Sequence, residues 1–165
     1  MTKDVIVNNT VLSNLASVDR LDILKKVFLK VHITLEVQNE VENGIRCGHL
    51  FQSRTKQIID NGQWIFITNC NQQESKIFND LRKRVDLGEA SCLAIAKERG
   101  WIFLTDDDKA RRIAQQSGVG LSGTIGVLVT AIEDKIISMA EAEKLHQDMR
   151  NNGYHSPISS ISEIV

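Results

Sequence analysis

Asp106, Asp107 and Asp108 follow directly on an apolar, β-like run at Trp101–Leu104 and precede a helical pattern that begins at Ala110. Open α/β sheets bind their ligands beyond the carboxyl ends of the strands, so acids at this place point to a cation site. Helix capping accounts for one Asp, whose carboxylate accepts from free backbone N–H groups and complements the dipole. Three in succession exceed that need and repel one another, and a cation would remove the repulsion. Two more acids occupy telling positions. Glu40, three residues after Val37, lies at the edge of the apolar stripe Val37, Val41 and Ile45. Glu89, four before Leu93 and seven before Ala96, falls on the inward face of a helix expected over Leu87–Gly100. A buried, unpaired carboxylate costs on the order of several kcal/mol, so Glu89 must be protonated, paired or bound to metal. Hard divalent cations such as Mg²⁺ and Mn²⁺ favour carboxylate oxygens, and they activate water for in-line attack on a phosphodiester.

The elements that must position these acids read as strand, helices, strand. Asp4–Val7 is a β-branched run that ends in Asn8, Asn9 and Thr10, small polar residues able to cap a helix over Val11–Ala16. A second helical pattern carries Leu21, Leu24 and Val27 or Phe28. Val31–Thr34 is the next strand, a helix runs from Thr34 or Leu35 to about Gly44, and Cys47–Asn61 has an amphipathic helical pattern closed by Gly62. Trp64–Thr68 is a third strand, followed by a polar stretch and a helix to about Lys83; Arg82, Lys83 and Arg84 read as a solvated basic loop. After the acids, Val119–Leu121 forms a short last strand, and Gly123 opens a helix to about Glu133, with another over Met139–Asn151. This is the grammar of a parallel sheet, whose right-handed crossovers can gather strand ends and helix starts at one edge. One domain over residues 1–152 is expected, with 153–165 as a C-terminal extension.

Composition narrows the function classes. The net charge is −1, so any nucleic-acid contact must be local rather than a global basic field. Cys47, Cys70 and Cys92 are odd in number and lack CxxC spacing, which argues against a disulfide framework and a thiolate zinc site. The four histidines show no ligand spacing and read as surface or packing residues. No apolar run approaches the ~20 residues of a membrane span, and no leader pattern is seen, so a cytoplasmic setting without membrane contact is expected.

The stretches NNTVLSNLASVDRLDIL, ITLEVQNEVENG, LGEASCLAIAKERG and IFLTDDDKARRIAQQSGVGLSGTIGVL, in this order and spacing, resemble a PIN domain of the predicted nucleic-acid-binding, toxin-like subgroup. The resemblance implies a three-layer α/β/α sandwich with a central parallel sheet of four to five strands. It also implies an acidic cluster holding Mg²⁺ or Mn²⁺, cleavage of single-stranded RNA, and often the toxin half of a toxin-antitoxin pair. An antitoxin protein and a second copy of the chain are the protein partners expected. Carried over residue by residue, Glu40 matches the acid on the helix after the second strand, Glu89 the acid opening the buried helix, and Asp106 with Asp107 the acids after the fourth strand. Asp107 fits the family's Thr-x-Asp pattern, which begins here at Thr105. Thr10 matches a small hydroxyl residue near the first acid position. That position holds Asn8, where active members usually carry Asp; its carbonyl can coordinate but brings no charge, so metal affinity should fall. Thr10, Thr105, Arg111 and Thr124 are expected to help hold phosphate, with Arg112 beside them and the hydroxyl and backbone N–H groups around Gly123–Gly126.

Two other chemistries fit worse. A haloacid dehalogenase-type phosphatase uses Asp-x-Asp, which Asp106 and Asp108 provide, but Ala110 stands where Thr or Val is required, and the motif normally follows the first strand. A calcium loop lacks its alternating oxygen ligands and the later Glu. A binding protein on the same fold, with chemistry lost at Asn8, is the alternative of another class.

Overall fold

The computed structural model describes residues 4–165; the expected domain start at residue 1 lies outside the described residues. Five strands, β1 (Asp4–Val7), β2 (Lys30–Ile33), β3 (Ile65–Ile67), β4 (Ile102–Leu104) and β5 (Leu121–Ser122), make one all-parallel sheet in the order β3-β2-β1-β4-β5. Nine helices among the described residues connect and follow them: α1 (Asn9–Ser17), α2 (Asp22–Val27), α3 (Leu35–Arg46), α4 (Gln52–Asp60), α5 (Gln72–Leu81), α6 (Leu87–Arg99), α7 (Asp108–Gln116), α8 (Thr124–Glu133) and α9 (Met139–Asn151). The chain leaves β1 toward β2 and β3, and leaves β4 toward β5, so right-handed crossovers put the two sets of helices on opposite faces. Helix α6 packs on β1 and β4 with α5 beside it, while α2 and α4 touch β2 and β3 from the other side, with α1, α8 and α9. The result is the three-layer α/β/α sandwich that the sequence predicts.

Covering both faces explains the composition of the strands. Val5, Ile6 and Val7 are all buried with no alternation, as in a sheet enclosed by helices. Helix α6 is buried from Gly88 to Ala96, which is why its small and apolar residues run round the whole helix. Two boundaries differ from the sequence pattern. The helix predicted over 47–61 begins only at Gln52, because Gly48 adopts φ +100 after the end of α3 and turns the chain. The last strand lies at Leu121–Ser122 rather than Val119–Leu121, since Val119 N–H donates to Ala114 O to close α7 and pairing starts only at Phe103 with Leu121.

Helix α6 is braced at its far end. The Glu74 side chain is wholly buried, accepts from Arg99 Nε at 2.8 Å and Nη2 at 2.9 Å, and also closes the capping box of α5 by accepting from Asn71 N–H at 2.9 Å. The segment after α9 folds back on it: His146 Nε2 lies 2.6 Å from Ser156 Oγ, Arg150 Nη1 donates to Ser159 O at 3.1 Å, and Ile161 is buried in the core.

The arginine beside Glu74 holds its carboxyl below the usual range, so the pair stabilises the fold fully above the unfolded-state value and loses that contribution as pH falls through the depressed one. Arg99→Met should leave a buried unpaired carboxylate and cost about 3 kcal/mol at pH 7. In thermal denaturation the deficit should narrow toward pH 3, where Glu74 takes up a proton in the variant.

Candidate active site

Strands β1 and β4 are neighbours, yet the chain leaves them in opposite directions, so a crevice opens where their carboxyl ends meet. Asn8 ends β1, its N–H extending the ladder to Leu104 O at 3.0 Å. It also caps α1, its Oδ1 accepting from Thr10 N–H at 2.7 Å and from the Thr10 hydroxyl at 2.6 Å. The Thr10 hydroxyl in turn accepts from Asp106 N–H at 3.0 Å, which ties the loop after β1 to the loop after β4.

Asp106 is a hub of hydrogen bonds. Its Oδ1 accepts from Thr124 N–H at 2.8 Å, and its Oδ2 from Asn14 Nδ2 at 2.9 Å and from the Thr124 hydroxyl. The carboxylate so joins α1, the β4 loop and the start of α8. A Cβ at Gly123 would collide with Asp106 Oδ1, so glycine is needed there for the carboxylate to fit. Thr124 and Thr105 are fully buried; Thr124 is spent on Asp106, and the Thr105 hydroxyl accepts from Asp107 N–H at 3.2 Å. Arg111 Nη1 donates to Thr105 O at 2.9 Å, holding that arginine across the loop. Of the residues expected to meet phosphate, Thr10, Thr105 and Thr124 thus already have protein partners.

The other acids gather on the far side of Asp107. Asp107 caps α7, its Oδ1 accepting from Ala110 N–H at 2.8 Å. Glu89 is buried in the first turn of α6, where it accepts from the backbone N–H of Asp86. Burial, followed by the nearby charges of Asp107 and Asp86, pushes its carboxyl up to about 7. Glu40, half-buried on α3, is also raised, by burial and then by Asp86, against the stabilising Gly88 N–H. A Cβ at Gly88 would overlap the Glu40 carboxylate, so glycine there lets that carboxylate rest against the first turn of α6. The buried hydroxyl of Ser91 donates to Thr34 Oγ1 at 2.8 Å and fixes the same junction of α3 and α6.

Glu40 and Asp107 are therefore each brought into electrostatic range of Glu89, whereas Asp106 serves the hydrogen-bonded hub. Asp86 joins them, unforeseen in the sequence although its spacing to Glu89, three residues, is that of a capping pair. Asn14 likewise has no motif to announce it; it lies four residues after Thr10 on the same side of α1. As they stand, no three His, Cys, Asp or Glu side chains among the described residues converge closely enough to enclose an ion. Hard carboxylate oxygens that repel one another nonetheless have the donor chemistry of a divalent-cation centre.

Asp107 borders two cavities. The smaller, about 380 Å³, includes Asp86, Glu89, Lys109 and the run Arg82–Arg84, and the larger, about 900 Å³, includes Asp106, Arg111, Arg112 and Tyr154. The basic run read as a solvated loop is exposed, but it borders the acids. His155, which reads from the sequence as a surface or packing residue, is exposed at the edge of the larger cavity.

The PIN-domain family model matches residues 4–165, and the chain belongs to that family, whose members are generally nucleases that use divalent metal ions. Among solved structures it is similar to PAE2754 from Pyrobaculum aerophilum, with a TM-score of 0.55 and 16% identity over 79% of this chain and 98% of that one. It is also similar to a chain of VapBC-1 from nontypeable Haemophilus influenzae, with a TM-score of 0.54 and 10% identity over 74% of this chain and 98% of that one. No curated protein matches the sequence. No helix among the described residues is long and apolar enough to cross a membrane.

In metal-free protein the folded state keeps the Glu89 proton up to about pH 7, while the unfolded chain loses it near 4.5, so stability falls as pH rises between these values. Glu89→Gln should therefore be more stable than wild type in EDTA at pH 8, by on the order of 2 kcal/mol, with little difference at pH 4.5. Denaturant titration at the two pH values measures this. Gly88→Ala should leave stability within about 1 kcal/mol of wild type, because the mobile end of Glu40 swings aside while the helix gains propensity.

Proposed function

We propose that the chain is a divalent-metal-dependent ribonuclease that cleaves single-stranded RNA, working in the cytoplasm as the toxin half of a toxin-antitoxin pair. The observation that carries this is the buried Glu89 carboxylate, which faces Asp107 and Asp86 with no cation side chain bonded to it among the described residues and keeps its proton to about pH 7. The buried Glu74 carboxylate, by contrast, is neutralised by Arg99. Glu40, Glu89 and Asp107 would hold Mg²⁺ or Mn²⁺, which when bound lowers the pKa of an attacking water and offsets charge on the scissile phosphate. The protein's own part is positional. The Ala110 N–H fixes one oxygen of Asp107, leaving Oδ2 without a protein partner among the described residues. The Asp106 hub sets the spacing of the strand ends, and the Arg111 guanidinium, anchored on Thr105 O, borders the larger cavity and can meet the backbone of a strand laid across the acids.

Asn8 favours a second reading, a weakened PIN-like module that binds RNA or protein without cutting. Its Oδ1 is taken twice by Thr10, so the remaining group is the Nδ2 amide, a donor that cannot ligate a cation. An aspartate would cap α1 with one oxygen and offer the other.

Incubation of the purified chain with labelled single-stranded RNA and Mn²⁺ separates the two. Cleavage should stop in EDTA and drop at least about 100-fold in Glu89→Gln. Asn8→Asp should increase the rate at limiting Mn²⁺ by about tenfold, equivalent to ~1.4 kcal/mol. If wild type and Asn8→Asp both leave RNA intact, the binding reading stands instead.

A further inference from the structure

We infer that the two cavities flanking Asp107 divide the reading of a single-stranded RNA between them, the smaller gripping phosphate and the larger, walled by the C-terminal segment, receiving a nucleobase. This rests on the ribonuclease reading and adds to it where sequence preference resides. The cavity of about 380 Å³ carries Lys83, Arg84 and Lys109 and no aromatic side chain. None of these three cations, nor Arg112 on the other side, is ion-paired among the described residues. In a chain of net charge −1, cations left unneutralised around an acidic centre mark a path for a polyanion. Such contacts set register but carry no sequence information.

The cavity of about 900 Å³ also has cations, Lys109, Arg111 and Arg112, but adds to them what the smaller one lacks. Its size falls within the usual range of small-molecule sites, roughly 300–1,000 Å³. Ile125 and Pro157 give it apolar surface, Ser13 a hydroxyl, and Tyr154 and His155 two rings. Tyr154 is the chain's only tyrosine. Its ring stands edge-on to His146, at 6.4 Å between centroids and 79°, and His146 is held by Ser156, so the wall is braced. Its phenol is protonated at neutral pH and can donate a hydrogen bond. Single-stranded RNA is read by stacking on such rings, histidine included, and by bonds to base edges. Because Asp107 borders both cavities, a strand passing from one to the other carries the phosphate between them over the acids.

The test is fluorescence anisotropy with labelled A, U and C homopolymer dodecamers, in EDTA, over about 50 to 200 mM salt. The uncut background is the full chain carrying Glu89→Gln, with Arg84→Ala, His155→Ala or Tyr154→Phe added. Arg84→Ala should make the slope of log affinity against log salt shallower by about 0.7 while keeping the order of the three homopolymers. His155→Ala, at an exposed position, should keep the slope and compress the spread between homopolymers by about fivefold, the worth of one stacking contact. Tyr154→Phe should change the order while the melting temperature stays that of the background. The proposal is overturned if His155→Ala and Tyr154→Phe lower binding equally for all three RNAs, if neither alters it, if none of the RNAs binds, or if a poly-glutamate peptide displaces RNA as well as unlabelled RNA does. Wild type that cuts RNA with Mn²⁺ while these variants bind unchanged would leave the ribonuclease and sink the subsites. The expected binding pattern with no cutting under any condition would sink the ribonuclease and leave the subsites.

Discussion

Like charge brought together beside a buried surface is the constraint on which this protein turns. The first turn of α6 lies against the sheet and against α3, and at that junction stand Glu89, Glu40 and Asp86, with Asp107 arriving from the end of β4. A fold selected for stability alone would place glutamine or an apolar residue at position 89, since the carboxylate there is desolvated and faces other acids. Around this strained cluster the surroundings are ordered by ordinary means. Asp106 is satisfied by three donors, Ser91 bonds Thr34, and two glycines, at 88 and 123, make room for carboxylates. Locally unfavourable placement within a well-satisfied frame is the usual mark of a functional centre.

Much of the frame was legible from residues alone. Val5–Val7 reads as an enclosed strand because helices on both faces remove any alternation, and α6 reads as buried because its apolar residues run all the way round. The strand-helix rhythm gives parallel pairing, and parallel pairing puts the acids at one edge. Periodicity failed where one backbone angle decided the outcome. The pattern over 47–61 is amphipathic throughout, yet Gly48 in the left-handed region starts the helix five residues late.

The site was legible in part, for a reason of the same kind. Acids at strand ends and on inward helix faces announce themselves by spacing, and Glu40, Glu89 and Asp107 do lie in one field. Which neighbour satisfies which acid depends on contacts across long stretches of chain. Nothing in the run Thr105–Asp108 tells that Asp106 will be claimed by Asn14, 92 residues away, while Asp107 turns to Glu89. The hydroxyls of Thr10, Thr105 and Thr124 have the composition of phosphate contacts, but they are the bolts of the frame. The C-terminal segment lines the larger cavity only through its return along α9, which no local pattern encodes.

The Asp106 hub also bears on how this edge can move. Helix α1, the loop after β4 and the start of α8 share a single carboxylate, so none of them can swing away without stranding partners belonging to the others. Adaptation to a guest then falls to the long exposed side chains at the rim, Lys83, Arg84 and Lys109, each giving up about 0.5–1.5 kcal/mol of rotamer freedom when it settles. Rigid walls with mobile bristles would make capture fast and grip modest, with residence time governed by the ionic strength of the medium rather than by the opening of a lid.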